Sequence, residues 1–170
     1  MTTQDFSIKW LAYGLALLPV WFAQSYLLNA YPLWGVRPLL FPLAAMAVAT
    51  LEGPSAGAGF GMAVGALFDA VVPGEPPGLM TLLFSLLGFG AGNLTRYRLR
   101  QDLYGCALCS LAALALVDLC RVLVRLFRGY PLTPMVLLAL REVLLSLCFV
   151  VLVYPLFLWV FNRVPKATVL

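Results

Sequence analysis

The sequence has no histidine and very little charge: Lys, Arg, Asp and Glu together make up 11% of its 170 residues. The missing histidine removes the commonest general base and the commonest metal ligand. The scarcity of charge excludes more. A soluble domain is typically about a quarter charged and about half apolar, whereas 63% of this chain is hydrophobic and its mean hydropathy is +0.97. Too few ionic groups remain to wet the surface of a compact soluble fold, so the chain reads as a single integral membrane domain over 1–170. The net charge of +4 is read as an orientation signal rather than as a nucleic-acid surface.

Cysteine is scarce as well. Cys106, Cys109, Cys120 and Cys148 all fall in apolar runs, and no strand precedes the Cys106-x-x-Cys109 pair. They read as small membrane-helix residues rather than a redox or metal centre. No catalytic, cofactor-binding or metal-binding residue is expected. Asp5 and Lys9 precede Trp10 without a basic n-region or a small-residue cleavage site, so the first apolar segment is expected to stay in the mature protein.

What is present is a series of apolar runs. Six spans are predicted at about 10–28, 38–51, 55–72, 79–94, 104–126 and 134–161, giving an all-α bundle of about six transmembrane helices. Pro19 is expected to kink the first. Arg37-Pro38 opens the second, which is short for a full crossing and parted from the third only by Glu52-Gly53-Pro54. Thr133-Pro134 suits an N-cap with a first-turn proline at the start of the sixth. The tails and even-numbered loops hold Lys9, Arg96, Arg98, Arg100, Arg163 and Lys166, against Arg37, Arg125 and Arg128 on the other side. Basic residues collect in cytoplasmic loops, so both termini are expected there. Contact of Arg96, Arg98 and Arg100 with anionic lipid is the plain expectation. Trp10, Tyr31, Trp34, Tyr97, Tyr104, Tyr130 and Trp159 suit an interfacial belt.

Two patterns within the spans bear on function. Gly57, Gly61 and Gly65 recur at steps of four and lead to Asp69, and Gly88 and Gly92 repeat the spacing in the fourth span. Glycine at such steps lets a neighbouring helix approach closely. Internal packing is favoured over a docking face for a partner's helix. Asp69, Asp118, Arg121, Arg141 and Glu142 carry charge into the outer half of the predicted spans. A charge at the centre of a spanning helix costs about 2.5–3.5 kcal/mol, so these five should pair or line a wet cavity. Asp118 and Arg121 can meet across one turn, and Arg121, Arg125 and Arg128 form a stripe running out to the surface. The readings are an ion-pair network that fixes the bundle, or a polar pocket for a ligand or partner.

From Arg37 to about Asp118 the chain resembles MreD, the bacterial rod shape-determining membrane protein. The matching features are Arg37-Pro38, the run Gly61-x-x-x-Gly65-x-x-x-Asp69, Gly78 before the fourth span, and Asp118 in the outer third of the fifth. It departs in having Phe60 before the first of these glycines, with Met62 after it, and in the proline-rich loop from Pro73 to Gly78. The resemblance implies a non-enzymatic subunit of the cell-elongation machinery in the bacterial plasma membrane. Its implied partners are MreC, a single-span protein, and a complex with MreB, RodA and a class B penicillin-binding protein, which organises peptidoglycan synthesis. It also implies a fold similar to the substrate-binding subunits of energy-coupling-factor vitamin transporters. A subunit of that transporter kind is the alternative, with substrate in the outer pocket and Ala12-x-x-x-Ala16 docking on a coupling protein. An intramembrane enzyme is the weakest reading, because its carboxylates sit beside arginines that keep them ionised. Arg37 joins Asp69, Asp118, Arg121, Arg141 and Glu142 as partner or pocket candidates.

Overall fold

The computed structural model describes residues 3–28, 35–71, 76–97, 102–129 and 132–163, with side chains for 8–28, 35–71, 76–97, 102–129 and 135–163. Every element in these stretches is helical: α1 (Thr3–Phe22) with a π-helical continuation (Ala23–Leu27), α2 (Phe41–Glu52), α3 (Pro54–Val71), α4 (Leu79–Tyr97), α5 (Leu103–Phe127) and α6 (Leu132–Arg163). Of these, α5 and the Met135–Arg163 part of α6 are long and apolar enough to cross a membrane.

The first predicted span differs in form. Helix α1 starts at Thr3, carries Pro19 inside it, and passes into the π-helical turn four residues later. Proline removes one backbone donor and crowds the preceding turn, and a widened turn is one way a helix absorbs that disruption. The turn leaves Gln24 buried, with its Oε1 accepting from the Leu40 backbone N–H at 2.7 Å.

The second predicted span is corrected. Residues 38–40 lie outside the helix, which begins at Phe41 with Pro42 in its first turn. Pro42 has no N–H to donate, so it sits where helical donors lack partners anyway. Helix α2 has 12 residues, about 18 Å of length, well short of a ~30 Å hydrocarbon core. Its residues from Phe41 to Leu51 are all buried. It is the central rod around which the other helices pack. The non-helical approach is buried too, and the Leu39 N–H donates to Ser146 Oγ at 2.8 Å as Leu40 does to Gln24. Side chains of two other helical segments thus satisfy buried backbone groups that the helix itself leaves without partners.

Gly53 alone joins α2 to α3. Its φ of +95° is a conformation that glycine adopts without a steric penalty. Its N–H closes α2 on the Ala49 carbonyl at 3.1 Å, and its carbonyl opens α3 by accepting from Gly57 at 2.9 Å. The remaining boundaries move little: α4 runs on to Tyr97, and α6 spans Leu132–Arg163 around Thr133-Pro134.

Apolar side chains cover much of the outside of the fold as well as filling its core. Large apolar side chains face outward on α1 (Leu11, Leu15, Leu18, Phe22), α4 (Leu82, Leu86, Phe89), α5 (Leu108, Leu119) and α6 (Leu144, Val151, Leu152), with Leu82, Leu86 and Leu152 66–69% exposed. Among the buried residues are also Gln24, Thr50, Thr95, Ser110, Asp118 and Ser146. Soluble monomers rarely expose apolar surface on this scale.

Candidate functional site

The ionic residues divide into separate groups rather than one. Helices α5 and α6 bring together Asp118, Arg121 and Glu142. Arg121 Nη1 donates to Asp118 Oδ1 at 3.3 Å and to Glu142 Oε1 at 2.9 Å. The Asp118–Arg121 pair follows from helical periodicity, since residues three apart share a face. Glu142 arrives from the next helix, so the arginine ties α5 to α6. All three side chains are largely buried, and breaking such a buried group typically costs about 3–5 kcal/mol.

Asp69 belongs elsewhere. It is at the end of α3, where its Oδ2 accepts from the backbone N–H groups of Gly78 and Thr81, both at 3.1 Å, and from the Thr81 hydroxyl at 2.6 Å. Those two N–H groups are among the donors at the start of α4 that have no intrahelical partner. The carboxylate therefore caps the next helix from across the hairpin and meets the positive end of its dipole.

Arg37 and Arg141 join neither group. Both are exposed, and among the described residues neither has an ion-pair partner. Arg125 is also exposed at the end of α5. Arg96 is exposed, whereas Arg98, Arg100 and Lys166 lie outside the described residues, as do Tyr31, Trp34, Tyr130 and the loop residues Pro73, Gly74 and Glu75. Of the aromatic belt, Tyr97, Tyr104 and Trp159 are exposed. Trp10 instead packs on the core, stacked at 6.5 Å on Phe60 and beside Tyr13.

The glycine ridge is an internal seam. A Cβ on Gly57 would stand 2.6 Å from the Gly88 carbonyl oxygen, one on Gly65 2.6 Å from Thr81 Cα, and one on Gly92 2.5 Å from Pro54 Cα. Gly61 lies against the Phe84 carbonyl, and Gly88 against that of Gly57. The small face that a partner's helix would need is filled by α4. The Ala12-x-x-x-Ala16 face likewise turns inward: Ala16 is buried and Ala12 packs against the core.

A further polar group escapes the sequence pattern. Lys9 of α1 is ion-paired with Glu52 at the end of α2, and the Tyr13 hydroxyl donates to Glu52 Oε1 at 2.6 Å. A signal existed, since alternating spans place the end of the second on the side where the first begins. Nothing local connects residues 43 positions apart.

Two cavities border α6. One of about 530 Å³ is lined by Val36, Arg141, Leu144, Leu145 and Cys148. The other, about 260 Å³, lies between the end of α1 and α6, with Pro19, Ala23, Leu40, Phe149, Leu152 and Leu156 among its walls. Asp69, Asp118, Arg121 and Glu142 line neither of them, so the expected charged pocket is, at these two places, an apolar groove with one arginine. Among the described residues no group of three or more His, Cys, Asp or Glu could hold a metal ion, and the four cysteines are free thiols. These polar groups tie helices together. Comparison with protein-family models, with curated proteins and with solved structures found no match to this chain.

Proposed function

We propose that this chain is a six-span membrane protein acting as a non-enzymatic scaffold subunit of the bacterial cell-elongation complex. The observation that carries the membrane reading is the apolar exterior: leucines face outward on four helices, while Gln24, Ser146 and Asp118 are buried. Lipid is the solvent that makes such a surface favourable. On α6 the 19 residues 143–161 carry no charge and are bracketed by Arg141-Glu142 and Arg163. They span about 28 Å, close to the ~30 Å hydrocarbon thickness. Helices too short or too glycine-rich to stand alone cross by packing on the others. Both termini are cytoplasmic in this reading, with Arg96, Arg98 and Arg100 on the inner side.

The scaffold reading rests on the resemblance to MreD and is supported by how the polar groups are used. Asp69, one of the residues carrying the resemblance, caps α4, and Asp118 is held in the α5–α6 ion group. Neither faces either of the two cavities. The partners in this reading are an MreC-like single-span protein and, through it, RodA, a class B penicillin-binding protein and MreB. The vitamin-transporter alternative draws no support from these apolar grooves or from the inward-turned Ala16. Affinity capture of the full chain in mild detergent, read by mass spectrometry, tests the proposal. A single-span partner and wall synthases are expected; recovery of two ATPases and a coupling protein would overturn it. A reporter fused after Leu170 should be active inside the cell, and activity only outside would reverse the orientation.

A further inference from the structure

The two cavities follow one another along α6. Arg141, Leu144 and Cys148 line the first, and Phe149, Leu152 and Leu156 continue along the second. From Arg141 to Leu156 this face is about 22 Å long, more than the ~15 Å depth of one leaflet. Its inner end is closed in by Pro19 and Ala23, where α1 gives way to the π-helical turn. Its outer end carries Arg141, with exposed Arg37 adjoining the lining residue Val36. Neither arginine has an ion-pair partner among the described residues.

We propose that this groove seats one acyl chain of an anionic phospholipid, with Arg141 holding its phosphate. The proposal rests on the membrane reading of the chain. Charge and wall chemistry select the occupant. An arginine at the end of an apolar helix face bordered by two open grooves complements a molecule with one anionic end and one hydrocarbon end. A partner helix is the poorer fit, because helices associate in lipid through small residues that let backbones meet. Here the walls are mainly Leu, Val and Phe, while the small-residue seam is already filled by α4. Arg141 stands at the edge of the uncharged stretch of α6, at the depth of a headgroup, so its charge stays near water while the stem lies on apolar surface.

The test is native mass spectrometry of the full chain extracted from vesicles of equal phosphatidylglycerol and phosphatidylethanolamine with matched chains. The wild type should retain phosphatidylglycerol about five-fold over phosphatidylethanolamine, the preference one juxtamembrane basic residue supplies. R141Q should bring the ratio close to one, and R141K should keep it. A23F should reduce retention of both lipids by filling the groove, and excess inorganic phosphate should displace neither. Equal retention by the wild type, an unchanged ratio in well-folded R141Q, or displacement by phosphate would overturn the proposal. So would a crosslink from Cys148, which lines the groove, to another protein's helix in native membranes. A chain that fails to float with vesicles refutes the membrane reading, whereas one that floats without lipid preference refutes only the lipid site.

Discussion

Helices α3 and α4 touch backbone to backbone, whereas the end of α1 and α6 stand apart over an apolar groove. The difference comes from side-chain size at the crossing. Glycines at positions 57, 61, 65, 88 and 92 let α3 and α4 close until a single added methyl group would collide with main chain. At the other crossing α1 carries Pro19 and passes into the π-helical turn, and Leu, Val and Phe side chains line the groove. Where lipid surrounds both pairs, the hydrophobic effect does not press helices together, so fit at the contact decides their spacing.

The strongest way to break this comparison is to fill the tight crossing. Gly61→Leu drives a side chain into the Phe84 main chain, which cannot retreat as a flexible side chain would. Loss of more than ~4 kcal/mol, seen as absence of monodisperse protein in detergent, is expected; the same size increase at Ala23 in the open groove should leave the fold intact. Arg121→Ala comes next, at about 3–5 kcal/mol, because it strands two largely buried carboxylates. Replacing Asp118, Arg121 and Glu142 together by leucine or methionine should recover most of that loss in thermal unfolding. If the triple variant were as unstable as the single one, the group would do more than tie α5 to α6.

Asp69→Ala should cost about 1–3 kcal/mol by leaving donors at the start of α4 without an acceptor. Asp69→Asn, which keeps one carbonyl oxygen, should recover part of it; hydrogen exchange at Gly78 and Thr81 reports the cap directly. The smallest effect is expected on the outer face. Leu86→Ala should shift stability by no more than ~0.5 kcal/mol in bilayers, since it exchanges contact with lipid rather than with protein. A loss as large as that at Gly61 would mean a protein surface covers Leu86.

The number and order of the helices were legible because each apolar run is bounded by Gly, Pro or charge: Gly53 between α2 and α3, Gly78 before α4, Gly129 after α5. The pairing of Asp118 with Arg121 was legible too, being local. The start of α2 was not, since Pro38 and Leu39 are as apolar as the helix they precede. The backbone donors of Leu39 and Leu40 are met by Ser146 and Gln24, and Ser146 lies 107 positions from Leu39. The grouping of Asp69 with the other charges was misread for a related reason. Position along a helix can be counted from a sequence, but lateral position around the bundle cannot.

Sequence by itself determined how little of the chain is ionic: with 11% charged residues much of its surface, like its core, has to be apolar, and its few ionic groups gain most from partners within the protein. Tertiary structure alone decided which partner. Asp69 went to a helix terminus, Arg121 to two carboxylates, Lys9 to Glu52, and Arg37 and Arg141 stayed at the surface. Those choices follow from crossing positions set by side-chain volumes on different helices, a property of pairs of segments that neither segment encodes alone.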